Sequence, residues 1–306
     1  MLFIVVGKAA YHPPRLWPRP TSLVINSPDF YTIDPCAFSF DLGQGWGVEA
    51  ADALAIYSPL IFPQSTRCAR LKRTDKGDET TLHALTLHFL KGPASHEAYS
   101  LTIGLGAHGQ PEATLSASSR LGLLRGLETF SQLITTVKGG CGLNPPLLQV
   151  AAGLTLHDEP SFAHRGVLVD CARNFMPVDA LKRVVDGLMA SKMNRLHLHL
   201  TDSQSFPLEL TTGHGPNITK HGAYSETETY SVADMADLQA YASARGVELL
   251  PELDTPGHSR AIGSAPGLAG IVSCADVPGA NYTSCCNEPP CGQLNPASEL
   301  SETLGS

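Results

Sequence analysis

The sequence has no long apolar run and little positive charge. Its 306 residues include 21 lysines and arginines against 29 aspartates and glutamates, which gives a net charge of -8. The basic residues are scattered and form no stripe of the kind that binds nucleic acid. No apolar stretch approaches the roughly 20 residues that a membrane helix needs. We therefore expect no nucleic-acid partner and no membrane partner, and the 42% hydrophobic content suits a globular protein.

The sequence also lacks a Cys-x-x-Cys pair, although it contains eight cysteines. These are Cys36, Cys68, Cys141, Cys171, Cys274, Cys285, Cys286 and Cys291. The stretch "CADVPGANYTSCCNEPPC" is rich in Pro, Gly and Asn, which favours a loop closed by disulfides over a zinc knuckle. Glycosylation sequons at Asn217 and Asn281 agree with a secretory route. We expect the secretory pathway, with a lysosomal, vacuolar or extracellular destination.

The character of the sequence changes near residue 160. Before it, residues 82–90 and 97–104 alternate as strands do, and residues 118–134 carry leucines at helical spacing. Residues 16–160 therefore predict a small α+β domain in which catalytic residue types do not cluster. Residues 1–15 contain a short apolar run with no basic residues before it, so we interpret them as at most the remnant of a signal peptide.

After this boundary, residues 161–306 alternate between strands and helices. Apolar runs at 165–172, 194–200 and 247–254 predict three strands, the first of them covered on both faces. Strands that alternate with helices predict parallel βαβ units, either in a barrel or in an open doubly wound sheet.

The helix signals lie between these strands. Pro177 suits the first turn of one helix. Ser231 and Asp234 form a capping box for the next helix. Pro251 lies inside the third strand, where its missing N–H predicts a local bulge.

Each of the three predicted strands ends in polar residues. Asp170 and Arg173 follow the first strand, Asp202 follows the second, and Asp254 and His258 follow the third. Chemistry collects at the carboxyl ends of parallel strands. A carboxylate beside an imidazole orients the ring and favours its charged form, so Asp202 or Asp254 with His258 predicts an acid–base relay. Arg173 offers a fork of donors that suits a sugar diol or a carboxylate.

The second strand has an alternative interpretation. His197 and His199 are two residues apart and point to one side of the sheet, as in metal-dependent hydrolase barrels that use a His-x-His pair. A structural interpretation places both histidines, hydrogen-bonded, in the interior of a barrel. In that case the intervening leucines at 196, 198 and 200 face the helices.

Five segments of the chain form a combination specific to one family. They are "HRGVLVDCARNFMPVDAL" (164–181), "KMNRLHLHLTDSQSFPLEL" (192–210), "GVELLPELDTPGHSRA" (246–261), "LWPRP" (16–20) and "EAYSLTI…LLRGLETFSQL" (97–133). Together they resemble the β-N-acetylhexosaminidases of glycoside hydrolase family 20. The resemblance implies a (β/α)₈ TIM barrel, with only its first strands present in this chain, preceded by a small α+β domain.

The resemblance also implies an activity and roles for residues. The activity is retaining, substrate-assisted hydrolysis of terminal β-linked N-acetylglucosamine or N-acetylgalactosamine, with no metal or organic cofactor. Arg173 would bind sugar hydroxyls, and Asp202 with His258 would form a relay to an acid–base glutamate. The residues that would support this relay are His199, Glu252 and Asp254. Implied partners are N-acetylhexosamine-terminated glycans or chitin oligosaccharides, and a homodimer of the full-length protein.

The sequence departs from the family pattern in one important respect. The catalytic Asp-Glu pair belongs to a His-x-Gly-Gly-Asp-Glu motif on the fourth strand, and the sequence ends at Ser306 without it. We interpret the adjacent pairs Asp78-Glu79 and Asp158-Glu159 as solvated loop charges. Leu198 also stands where many members carry Trp.

This departure leaves two hypotheses beside the metal hydrolase. The sequence is either a carboxyl-terminally truncated hexosaminidase sequence or a non-catalytic relative with residual sugar binding. Three barrel strands cannot close. We therefore expect this chain alone to be poorly stable and to hydrolyse no hexosaminide.

Overall fold

The computed structural model describes residues 15–63, 80–91, 96–136, 148–210, 217–275, 283, 286 and 289–298. The chain divides into two compact units, Met1–Ala163 and His164–Ser306. Several predictions lie outside the described residues: most of the signal remnant, the sequon at Asn281, the pair Asp78-Glu79, and Cys68, Cys141 and Cys285.

The first unit combines strands and helices in an α+β arrangement. Its strands are β1 (Ser22–Ile25), β2 (Phe30–Ile33), β3 (Ser39–Leu42), β4 (Ala84–Phe89), β5 (Tyr99–Leu105), β6 (Pro111–Ala117), β7 (Thr135–Thr136), β8 (Leu148–Ala151) and β9 (Leu154–Asp158). Its helices are α1 (Val48–Ile61) and α2 (Arg120–Leu133), which pack on each other. One sheet has the order β1-β9-β5-β6-β4-β3, and a second has the order β2-β8-β7.

Helix α2 follows the predicted leucine pattern and packs closely on the large sheet. It begins after Ser119, whose side chain accepts the N–H of Gly122. A Cβ on Gly126 would lie 2.3 Å from the Leu115 side chain, and one on Gly122 would lie 2.5 Å from the carbonyl oxygen of Ala98. Glycine is therefore needed at both positions for this close approach.

Asp158 corrects the interpretation of the pair Asp158-Glu159 as solvated charges. It is buried at the end of β9, whereas Glu159 lies beyond the strand. The Tyr99 hydroxyl donates to Asp158 Oδ2 at 3.0 Å, and the Thr21 N–H donates to Oδ1 at 3.1 Å. Burial and the Asp158 carboxylate both raise the pKa of Tyr99. The strand register places Asp158 opposite Tyr99, so a polar partner is ready for the buried carboxylate.

The second unit contains the predicted parallel strands. They are β10 (Gly166–Asp170), β11 (Arg195–His199) and β12 (Glu248–Glu252), paired in the order β10-β11-β12. The helices are α3 (Val178–Ala190), α4 (Ile218–Gly222) and α5 (Val232–Ala244). Two 3₁₀ helices (Arg260–Ser264 and Ala269–Ile271) lead to a short antiparallel pair, β13 (Val272–Ser273) and β14 (Gln293–Leu294).

The helix signals of the second unit are confirmed. Ser231 and Asp234 form a reciprocal capping box at the start of α5. Pro177 occupies the N-cap position of α3, one residue before the helix begins. Because Pro lacks an N–H that the first turn would leave unsatisfied, this position suits it.

One face of the parallel sheet is covered by α3 and α5. Three leucines in and just after β11 are fully buried: Leu196, Leu198 and Leu200. They join one core cluster with Leu181 and Val185 of α3, and the prediction that these leucines face the helices is confirmed. Truncating such a leucine to alanine typically costs about 2–5 kcal/mol of stability.

The sheet differs from expectation in two places. Leu168 is 53% exposed and Val167 is 39% exposed, so β10 is not covered on both faces within the described residues. Pro251 causes no bulge, because Leu198 pairs with Pro251 and His199 with Glu252 in an unbroken register. The Glu248 N–H donates to the Asn194 carbonyl oxygen, just before β11. N–H groups alternate along a strand, so the Pro251 nitrogen points away from β11, to the edge of the three-stranded sheet. No donor is needed there.

None of the helices in the described parts of the chain has the length and apolar character needed to span a membrane.

Candidate active site

A row of polar residues crosses the three parallel strands near their carboxyl ends. Asp170, His199 and Glu252 are register partners on adjacent strands. Side chains alternate between faces, and Leu198 faces the helices, so this row lies on the opposite face. The strand register places these three side chains next to one another, because the strands end at the same level of the sheet.

Asp202 is the centre of the site. Its side chain is 0% exposed, and the residue lies three positions after the end of β11. Oδ2 accepts from Arg173 Nη2 at 2.8 Å and from His199 Nε2 at 2.9 Å. Oδ1 accepts from His258 Nδ1 at 3.0 Å and from the Ser203 N–H at 2.6 Å. A buried carboxylate needs such donors, and here three of them come from titratable or charged side chains.

His258 is held beside Asp202 by the loop after β12. Its φ of 55° lies in the left-handed region, which costs a non-glycine residue about 1–2 kcal/mol. The Asp254 N–H donates to Thr201 Oγ1 at 3.0 Å, which ties the start of this loop to the loop after β11. Of the two predicted partners, Asp202 hydrogen-bonds the His258 ring, while Asp254 lies nearby within the same group of side chains.

Arg173 connects the first strand to Asp202. Its Nη1 donates to Asp170 Oδ2 at 2.7 Å, and its backbone N–H donates to Asp170 Oδ1 at 2.9 Å. Burial raises the pKa of Asp170, but these bonds and the guanidinium charge outweigh it and lower the pKa overall. The Arg173 side chain is 33% exposed, so part of it is accessible from solvent.

His197 and His199 both contact Glu252 on the neighbouring strand. His197 Nε2 lies 2.5 Å from Glu252 Oε2, and His199 Nδ1 lies 3.3 Å from Glu252 Oε1. Burial lowers the pKa of His199, but the bonds to Asp202 and Glu252 outweigh it and raise the pKa overall. Both ring nitrogens of His199 therefore face carboxylates, so a metal ion could bind the ring only by displacing one of them.

Two groups of side chains in the described residues are close enough to consider for a cation. His199, Glu252 and Asp254 form one group, and Asp202, Asp254 and His258 form the other, each with its nitrogen and oxygen atoms within 4.8 Å. The positive guanidinium of Arg173 lies 2.8 Å from Asp202, which opposes a second cation there. His197 belongs to neither of these two groups, so they do not reproduce the His-x-His pair of the metal-hydrolase alternative.

Tyr224 is a site residue that the sequence did not indicate. Its hydroxyl donates to the Arg173 carbonyl oxygen at 3.1 Å. Burial raises the pKa of Tyr224, and the nearby carboxylates of Asp170 and Asp202 raise it further. A tyrosine 51 positions after Arg173 carries no local sequence signal. Only the path of the chain between β11 and α5 brings it to the site.

Two family models match the sequence. Residues 162–304 match "Glycosyl hydrolase family 20, catalytic domain", and residues 16–133 match "beta-acetyl hexosaminidase like". A chitooligosaccharidolytic β-N-acetylglucosaminidase of Bombyx mori is 41% identical over 66% of this chain and 32% of its own length. β-Hexosaminidase 1 of Arabidopsis thaliana is 32% identical over 86% of this chain and 50% of its own length. The chain spans at most about half the length of these relatives.

Solved structures show the same likeness. The chitobiase of Flavobacterium johnsoniae aligns with a TM-score of 0.64 at 26% identity, over 84% of this chain and 37% of that one. The N-acetyl-β-hexosaminidase of Streptomyces plicatus aligns with a TM-score of 0.61 at 27% identity, over 81% of this chain and 47% of that one. An exo-β-N-acetylglucosaminidase of Vibrio harveyi, at 20% identity and a TM-score of 0.70, shows the likeness of fold alone.

Proposed function

Because this chain belongs to glycosyl hydrolase family 20, we propose that it carries part of the active site of a β-N-acetylhexosaminidase. The substrates are terminal, non-reducing β-linked N-acetylglucosamine or N-acetylgalactosamine residues on glycans or chitin oligosaccharides. The observation that carries the proposal is the convergence of Arg173 and His258 on the buried carboxylate of Asp202. It lies at the carboxyl ends of parallel strands, where barrel enzymes place their chemistry.

The proposed reaction is substrate-assisted and retains the anomeric configuration. The acetamido oxygen of the substrate forms a bond to the anomeric carbon while the glycosidic C–O bond breaks. An acid–base glutamate gives its proton to the leaving oxygen, and a neighbouring aspartate stabilises the oxazolinium ion. Water then attacks the anomeric carbon, the bond from this carbon to the acetamido oxygen breaks, and the attacking water gives a proton to the glutamate.

The residues of this chain have three proposed roles in that reaction. Arg173 donates to hydroxyls of the terminal sugar, which its partly exposed side chain supports. Asp202 orients the His258 ring through Nδ1, and the other ring nitrogen is then directed away to contact the acid–base glutamate. His199, Glu252 and Asp254 support the relay from the neighbouring strands. The structure of the barrel is proposed as (β/α)₈, of which β10, β11 and β12 are the first strands.

The acid–base glutamate itself is not assigned to any residue of this chain. The 306-residue sequence contains no Gly-Gly-Asp-Glu motif. Asp158 is engaged with Tyr99 and Thr21 in the first unit and takes no part in the site. The second candidate function is a non-catalytic relative that keeps residual sugar binding through Arg173.

We also propose passage through the secretory pathway to a lysosomal, vacuolar or extracellular location. A disulfide joins Cys286 to Cys291, and Cys36 is also disulfide-bonded. The sequon at Asn217 lies on an exposed position at the start of α4. Disulfides persist in oxidising compartments, which supports this route. A homodimer of the full-length protein remains part of the proposal.

The test compares the 306-residue chain with the product of the complete reading frame around it. The complete product should release p-nitrophenol from the β-N-acetylglucosaminide and not from the β-glucoside, because only the former carries the acetamido nucleophile. The first-formed sugar should be the β-anomer by NMR. The 306-residue chain should show no turnover. Equal hydrolysis of both glycosides would contradict the substrate-assisted mechanism. Turnover by the 306-residue chain would contradict our inference that none of its residues is the acid–base glutamate.

If the complete product also lacks turnover, calorimetry with N-acetylglucosamine decides between the two candidates. Binding that Arg173→Ala abolishes would support the non-catalytic relative. No binding in either form would contradict both candidate functions.

A further inference from the structure

Imidazoles and carboxylates alternate along one continuous line of contacts in the second unit. The line runs from His197 to Glu252, then to His199, Asp202 and His258. Its members come from β11, β12 and the two loops that follow these strands. The acid–base relay proposed above consists of the last two members, and the way in which the first three support it can be argued from their contacts.

The contacts of His199 favour its protonated form. A carboxylate accepts hydrogen bonds and does not donate them when ionised. Nε2 lies 2.9 Å from Asp202 Oδ2 and Nδ1 lies 3.3 Å from Glu252 Oε1, so a proton on each nitrogen suits both contacts. This arrangement favours an imidazolium at His199, and the pKa of the ring is raised in agreement with it.

The charges that face His199 come from every neighbouring element of the site. They are Asp170 of β10, Asp202 after β11, Glu252 and Asp254 of β12 and the loop after it, the permanent cation Arg173 and the titratable ring of His258, both of which share Asp202 with His199. The carboxylates outnumber the permanent cation, which favours the charged ring.

The donors that contact Asp202 are divided between its two carboxylate oxygens. Oδ2 accepts from two cations, the Arg173 guanidinium and the His199 imidazolium, while Oδ1 is left to the His258 ring and one backbone N–H. Two donors on Oδ2 fix the rotation of the carboxylate and so the direction in which Oδ1 meets His258. They also draw negative charge away from His258, which limits how strongly Asp202 stabilises a protonated His258.

We propose that His199 is a positioning residue: held as an imidazolium between Glu252 and Asp202, it orients the Asp202 carboxylate and sets the basicity of His258. The consequence for turnover rests on the proposed function. The effect on His258 does not, because it is a property of this chain alone.

Titration of the histidine rings by NMR in the 306-residue chain tests the proposal without any need for activity. Glu252→Gln removes the carboxylate at Nδ1, so the His199 midpoint should move to lower pH. His199→Gln keeps a side-chain donor for Asp202 but removes the positive charge, so the His258 midpoint should move to higher pH. The chain has 12 histidines, and the His199→Gln and a His258→Gln variant assign the two signals by their loss.

The matched control is Glu248→Gln, the same substitution in the same strand. Glu248 lies four residues before Glu252 in β12 and pairs with Arg195 at 2.9 Å. It should leave both midpoints unchanged. The proposal is overturned if Glu252→Gln leaves the His199 midpoint in place, or if His258 moves to lower pH in His199→Gln. If His199→Gln does not fold, as judged by its remaining histidine signals, the Glu252→Gln result alone decides.

In the complete enzyme the same variants give a second readout. His199→Gln should lower kcat about tenfold, shift the pH profile of kcat to higher pH, and change KM by less than about twofold. A purely structural role would lower kcat without moving the profile. If the complete product has no activity, the proposed function fails while the ring titration still stands as the test of positioning.

Discussion

In the first unit, buried polar side chains form pairs with other buried side chains. In the second unit, several side chains converge on one buried carboxylate. Arg125 binds Glu97 at 2.8 Å, and both are buried. The Tyr99 hydroxyl donates a hydrogen bond to Asp158 Oδ2 at 3.0 Å. By contrast, Asp202 gathers three side chains, and two of these keep an accessible surface: the His258 side chain is 42% exposed and that of Arg173 is 33% exposed.

The difference separates burial from function. A buried charge in either unit must be satisfied, so burial alone marks only a polar group with partners. A site also needs groups that a substrate can reach, and these occur at the strand ends of the second unit. The predictions below test this distinction by changing one side chain at a time in each unit, in order of decreasing effect.

Asp202→Ala should have the largest effect. It leaves the positive charges of Arg173 and His199 without their shared, fully buried partner. Loss of one member of a buried pair typically costs about 3–5 kcal/mol. Urea unfolding of the 306-residue chain measures it, with Glu248→Ala as the control at a half-exposed pair, where about 0.2–1 kcal/mol is expected. Equal losses for the two variants would remove the special position of Asp202.

Arg173→Lys should separate binding from stability in the second unit. Lysine keeps the charge but cannot contact Asp170 and Asp202 with two arms of one planar group. In the complete enzyme we expect kcat/KM for the N-acetylglucosaminide to fall by about 10- to 100-fold, roughly 1.4–2.8 kcal/mol. Kinetics at saturating and limiting substrate measure this. An unchanged kcat/KM would contradict a sugar-binding role.

Tyr99→Phe should affect stability alone. It removes the hydroxyl between Thr129 and Asp158 and leaves a buried carboxylate with one donor fewer, at a cost of about 1–3 kcal/mol. Tyr224→Phe is the matched substitution in the second unit, where the lost bond is exposed and the cost should stay below about 1 kcal/mol. Denaturant midpoints compare them. A larger loss for Tyr224→Phe would reverse the comparison between the units.

The smallest effect should be the pH dependence that His199 and Asp170 give to the second unit. The folded pKa of His199 is raised, so its stabilisation is fully present below its ordinary 6.5 and is lost as pH rises through the folded value. The folded pKa of Asp170 is lowered, so its stabilisation is present above its ordinary 3.8 and is lost as pH falls through the folded value.

Unfolding measured across pH should show both signs. The stability difference between wild type and His199→Gln should be larger at about pH 5.5 than at about pH 9. For Asp170→Asn it should be larger at about pH 6 than at about pH 2.5. A difference that does not change with pH would show that these side chains act through packing alone.

Much of the fold could be predicted from the sequence because its signals are local. Ser231 and Asp234 fix a helix start within four residues, and the alternation of Leu196 and Leu198 with histidines fixes which face of β11 meets the helices. The exposure of Leu168 could not be predicted, since it depends on which strands lie beside β10. The burial of Asp158 depends in the same way on its register with Tyr99.

The sequence predicted several residues of the candidate site, but it did not predict most of the contacts between them. Polar residues at three successive strand ends identified Arg173, Asp202 and His258 as neighbours. Their mutual contacts depend on atoms separated by up to 85 positions in the chain, as for Arg173 and His258. Tyr224 joined the site with no preceding signal of its own.

The sequence by itself determined the parallel strand–helix pattern, the polar strand ends and the family, because periodicity, capping and motif spacing act within short stretches of chain. The pattern of residues left both Asp202 and Asp254 open as partners of His258, and the resemblance implied Asp202. The tertiary structure places the His258 ring on Asp202, and it alone decided that Glu252 joins His197 to His199. Hydrogen bonds form over about 3 Å. Which groups meet at that distance is set by strand register and loop path, which no local pattern records.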